Sequence, residues 1–109
     1  MVIKLLKIVR KDLVLFNTVI ESRLESIVNE TDKKYKIEYS ILDEYRYKIQ
    51  KKLASRPKST YSLSFLYHEA HYFWHAINKY KESLREKIEN TDYVEAVLTR
   101  HELVLGPKL

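Results

Sequence analysis

Only one glycine, Gly106, stands among the 109 residues, close to the end of the sequence. Tight β-hairpin turns need residues that accept positive φ, and phosphate-cradling loops, dinucleotide fingerprints and nucleophile elbows need glycine where backbone meets ligand or turns sharply. Those devices are therefore excluded over nearly the whole chain. Only two prolines, Pro57 and Pro107, punctuate the rest. We expect an all-α fold: a small antiparallel bundle of about four helices, with long first and third helices, as a single helical domain over residues 1–109. An apolar content of 45% is enough for a core without staples, and the chain has no cysteine. Disulfides, thiolate metal sites and cysteine nucleophiles are thus ruled out, and a reducing, cytoplasmic setting fits.

Apolar spacing supplies the element limits. Val2, Leu6, Val9, Leu13, Phe16, Ile20, Leu24 and Ile27 follow alternating steps of four and three, which predicts a first helix over about 27 residues. The polar break at residues 29–32 offers capping side chains before a second stripe of Tyr35, Leu42, Tyr45, Ile49 and Leu53. Pro57 turns the chain, and Ser59 or Thr60 is placed to cap a third helix reaching about Glu89. Its stripe is Leu63, Leu66, Ala70, Phe73, Trp74, Ile77, Leu84 and Ile88. Asp92 with Glu95 opens a short fourth helix through Val94, Val97, Leu98 and His101, which Gly106 and Pro107 stop.

Charge is unevenly spread. The chain carries 20 Lys and Arg against 15 Asp and Glu, a formal net charge of +5. Arg46, Lys48, Lys51, Lys52, Arg56 and Lys58 follow one another between Tyr45 and Ser59 without an acidic residue. Such a cluster attracts an anionic polymer, because each neutralised phosphate releases condensed counterions. Tyr47 is the stacking candidate beside it, whereas Tyr45 belongs to the apolar stripe and is expected in the core. Lys33, Lys34 and Lys36 are a possible extension of the same footprint. The alternative is ordinary solvated surface, in which lysines of a last helical turn complement the helix dipole. No apolar run is long enough to span a membrane, and Asp12, Glu21 and Glu25 dilute the basic first helix as an interfacial anchor.

The segment from Tyr61 to His75 is rich in aromatic rings and histidines. Read as one helix, it sets Tyr61, Phe65, His68, His71, Tyr72 and His75 beside one another on a face for a partner, either a second copy or a larger protein. His71 and His75, four apart, with His68 one turn earlier, form a weak metal candidate. The Glu that follows the first histidine in zinc-protease helices is missing, Tyr72 standing there instead, and there is no Glu-x-x-His pair of the di-iron kind. We therefore expect no cofactor and no catalytic residue. The function expected is a non-enzymatic module that binds nucleic acid through the basic patch and assembles through the aromatic and histidine face. A protein-interaction scaffold without nucleic acid is the alternative.

Overall fold

The computed structural model describes residues 2–86 and 92–108. Helices dominate, but the expectation of an all-α fold is corrected by a two-stranded antiparallel ribbon. The order is β1 (Val2–Ile8), α1 (Arg10–Ile27), α2 (Lys33–Ala54), β2 (Tyr61–Leu66), α3 (Tyr67–Arg85) and α4 (Asp92–Leu105), closed by a short 3-10 turn over Gly106–Lys108. Residues 87–91, which include Ile88 and the expected end of the third helix near Glu89, lie outside the described residues.

The strands explain two misread helix ends. In Tyr61–Leu66 buried and exposed residues alternate strictly, the signature of a strand with one face on a core. β1 buries Ile3, Leu5 and Ile8, while Val2, Leu6 and Val9, the first three positions of the expected helical stripe, are exposed. Pairing runs from Val2 opposite Leu66 to Leu5 opposite Leu63 and then slips by one, so that Ile8 faces Tyr61. Two residues, Leu6 and Lys7, oppose one across this bulge, and the slip returns Ile8 to the inner face. Lys7 takes a φ of 55°, the left-handed region. A β-carbon is disfavoured there, so Lys7→Gly should raise stability by about 0.5–1 kcal/mol, or about 4 °C in a thermal melt. An unchanged or lowered midpoint would show that the bulge does not hold this conformation.

A two-stranded ribbon is marginal alone. Here its inner face, Ile3, Leu5, Ile8, Tyr61, Leu63 and Phe65, is buried, each side chain contributing roughly 1.5–3 kcal/mol by leaving water. Aromatic rings connect the layers. Tyr45 of α2 stacks on Phe65 of β2 at 4.7 Å, and Phe65 stacks on Phe73 of α3 at 5.0 Å. Phe73 meets Phe16 of α1 edge-on at 5.2 Å, and Phe16 meets His101 of α4 at 4.7 Å. One chain of rings thus crosses the core from α2 to α4.

Helices α1 and α2 form an antiparallel hairpin. Asp32 caps α2, accepting a hydrogen bond from the Lys34 N–H at 3.0 Å. Across the hairpin Arg23 donates twice to the buried Glu38, at 2.7 and 3.1 Å. At α4 the buried Asp12 accepts from Arg100 and lies 3.1 Å from His101 Nε2, and Lys81 of α3 bonds Glu102 at 2.6 Å. These charges are paired as burial requires.

Candidate functional site

The last turns of α2 run beside β2, where Tyr45 stacks on Phe65 and its hydroxyl meets the Ser64 carbonyl. At about 100° per residue, Lys48, Lys51, Lys52 and Ser55 fall within one arc of the helix. On β2, Ser62 and Ser64 alternate with the buried Tyr61, Leu63 and Phe65 and so point outward. Between helix and strand lies an open depression of about 470 Å³ lined by Tyr45, Lys48, Lys51, Lys52, Ser55, Ser62, Leu63 and Ser64. A second, of about 410 Å³, adjoins it and is lined by Leu6, Lys7, Lys52, Ser55, Lys58, Thr60, Tyr61 and Ser62. Lys52, Ser55 and Ser62 belong to both, so the two make one elongated groove. Lysines, hydroxyls, Leu6 and Leu63 line it, and among the described residues no carboxylate does.

A clasp of hydrogen bonds ties the start of α1, the end of α2 and β2 together beside the groove. Arg10, at the start of α1, donates to the Tyr61 hydroxyl at 2.9 Å and to the Leu53 carbonyl at the end of α2 at 2.8 Å. The same hydroxyl accepts the Lys58 N–H at 3.2 Å, which ties the connecting segment to the strand and places Lys58 over the groove. The Lys58 N–H first, with Arg10 adding to it against the effect of burial, holds the Tyr61 phenol below its ordinary 10.0. At the other end the Tyr45 hydroxyl lies 2.7 Å from Glu69 Oε1 and 2.9 Å from the Ser64 carbonyl. Burial, then the Glu69 carboxylate, pushes the Tyr45 phenol up, so it stays protonated and acts only as a donor. Burial raises Glu69 itself, but the Leu66 N–H, the Tyr45 hydroxyl and Lys48 outweigh it and hold its carboxyl below the ordinary value. The Leu66 bond, at 2.7 Å, also caps the first turn of α3.

The expected basic residues divide into two sets. Arg46 is held by Asp43 on its own helix at 2.6 Å, and Lys48 reaches Glu44 at 3.4 Å while lying 4.7 Å from the Tyr45 ring centre. Lys51, Lys52, Arg56 and Lys58 have no carboxylate within ion-pair distance among the described residues. Tyr47 is 66% exposed, with no ring or cation packed on it among the described residues. Lys33, Lys34 and Lys36 do not extend the patch: they sit at the opposite end of α2, about 25 Å along its axis from Lys51.

The expected partner face is corrected. Tyr61 and Phe65 belong to a strand rather than to the helix of the histidines, and both point into the core, at 7% and 1% exposure. The remaining members share α3, where His68 and His71 are exposed and Tyr72 and His75 half-buried. His71 packs edge-on against Tyr67 at 5.0 Å. Among the described residues no three His, Asp or Glu side chains group closely enough to hold a metal ion, so the His68, His71 and His75 candidate is not assembled as one.

His75 instead faces the Arg23–Glu38 pair, with Lys34, Tyr35, Tyr72 and Lys79 around it. Burial, then Arg23 and Lys79 against Glu38 and Glu82, keeps its pKa below the ordinary 6.5. On acidification the unfolded chain takes up this proton before the folded one, so stability present above pH 6.5 is lost below it. His75→Gln should therefore flatten the acid limb of a denaturation-versus-pH series, and superimposable limbs would contradict the assignment.

Sequence reasoning missed Lys7, Ser55, Thr60, Ser62 and Ser64 as groove residues, along with the clasp of Arg10 and Tyr61. The signal for the serines was the Tyr-Ser-Leu-Ser-Phe-Leu alternation itself. Comparison with protein families, with curated proteins and with solved structures finds no match to this chain. Among the described residues no helix is long and apolar enough to cross a membrane.

Proposed function

We propose that the protein is a non-enzymatic nucleic-acid-binding module whose contact surface is the groove between the end of α2 and the ribbon. The observation that supports this most is the groove's lining: Lys7, Lys51, Lys52 and Lys58 converge on a single elongated depression that contains serine and threonine hydroxyls and no acidic side chain. Cations with no acidic neighbour keep their charge for an incoming ligand, whereas exposed lysines already paired with carboxylates give little. An elongated track suits a polymer of phosphates better than a compact anion. Hydroxyls complement the lysines as donors to phosphate and sugar oxygens, contacts that position a strand without reading its sequence.

Nothing in the lining resembles an activated nucleophile. The one phenol with a lowered pKa, Tyr61, is engaged by Arg10 and by the Lys58 N–H as part of the scaffold.

The test is binding of a fluorescent oligonucleotide across a monovalent salt series. About four phosphate contacts give a log–log slope near −3 on a single strand. A polyglutamate of matched charge, used as competitor, separates nucleic acid from acidic protein as the partner. Binding that is insensitive to salt, or displaced equally by polyglutamate, would overturn the proposal.

A further inference from the structure

Resting on that reading, we infer that the groove takes a single nucleic-acid strand, with an unpaired base stacked on Tyr47 at its rim. Two observations point this way. Tyr47 is 66% exposed and sits one helical turn before Lys51, so its ring stands beside a groove lysine on the same face of α2. Tyr45, two residues away, is 3% exposed and spoken for by Phe65, Glu69 and Ser64, so the two tyrosines of this turn have opposite fates.

The cations are arranged for one backbone. Lys51, Lys52 and Lys58, with Lys7 of β1, line a single track between α2 and the ribbon, whereas a duplex presents two phosphate ridges separated by a groove about 12 Å wide. A duplex also hides the faces of its bases, leaving Tyr47 nothing to stack on. In single-strand binders a positive groove follows the backbone while aromatic rings hold successive bases, and stacking tolerates any base because each has a π-face.

The experiment compares the whole chain and its Tyr47→Leu and Tyr47→Phe variants on a labelled strand of about 12 nucleotides and on the duplex of the same sequence, by anisotropy at fixed salt. Circular dichroism checks the fold, which an exposed site leaves intact. The single strand should bind tighter than the duplex. Tyr47→Leu should weaken the single strand about tenfold or more and leave the duplex unmoved, while Tyr47→Phe retains the affinity. Equal affinity for both forms, or a Tyr47→Leu variant that binds the single strand as well as the native chain, would overturn the inference and leave the nucleic-acid reading standing. Failure of the native chain to bind either form would overturn both.

Discussion

Replacing Phe73 with alanine is expected to cost about 3–5 kcal/mol. Phe73 is 1% exposed. It stands at the centre of the ring series, stacked on Phe65 at 5.0 Å and edge-on to Phe16 at 5.2 Å. Truncation forfeits the buried ring and both aromatic contacts, and leaves a void lined by β2 and α1. A domain of this size has about 5–15 kcal/mol in all, so the variant should be largely unfolded by denaturant concentrations the native chain withstands. Leu103→Ala is the control: this side chain is 68% exposed, and its loss should register within about 0.5 kcal/mol. Urea denaturation followed by circular dichroism gives both values. A Phe73→Ala penalty below about 1 kcal/mol would mean that the rings do not form the core that carries β2 and the groove.

The parts of this fold that sequence reveals are those where one periodicity is unopposed. α2 ends at Ala54 as its stripe predicts, and Asp32 caps its start. Leu13, Phe16, Ile20, Leu24 and Ile27 are all buried along α1. Tyr45 and His101 lie in the core, as membership of their stripes requires.

What misled was the inference from glycine to the absence of strands. Scarcity of glycine excludes a tight hairpin, but β1 and β2 are joined through the α1–α2 hairpin and need no such turn. The single left-handed position in the ribbon is occupied by Lys7. At the N-terminus two patterns compete: Val2, Leu6 and Val9 fit a helix, while Ile3, Leu5 and Ile8 fit a strand only if a bulge resets the alternation. No local rule places that bulge; packing on the core does. The same error put Tyr61 and Phe65 on a helical partner face, when a period of two sends them inward and leaves Ser62 and Ser64 outside.

The basic patch was legible as a run of residues and not as a shape. Sequence shows six cations without an acid between them, but Asp43 and Glu44, just before that run, are one helical turn from Arg46 and Lys48 and pair with them. Sequence does not bring in Lys7, which joins from the other strand through the bulge.

The second large effect concerns affinity. Changing Lys51, Lys52 and Lys58 together to Gln removes three groove cations and no ion pair seen among the described residues. Lys51 and Lys58 are exposed and Lys52 half-buried without an ion pair among the described residues, so stability should shift by less than about 1 kcal/mol. Each lost phosphate contact on a single strand takes about 0.7 from the log–log salt slope, so the slope should fall by about 2. Extrapolated from 1 M salt, that is about a hundredfold weaker binding near 0.1 M. Lys33, Lys34 and Lys36 changed together to Gln lower the formal charge by the same amount at the far end of α2, and so separate a local site from the pull of overall charge.

Salt titration of a labelled single strand against the native chain and these two triple variants puts the claim most directly to the test. A slope reduced by about 2 in the Lys51, Lys52 and Lys58 variant, beside a nearly native slope in the Lys33, Lys34 and Lys36 variant, is the predicted result. Equal reductions in both, or none in either, would contradict a binding groove between α2 and the ribbon.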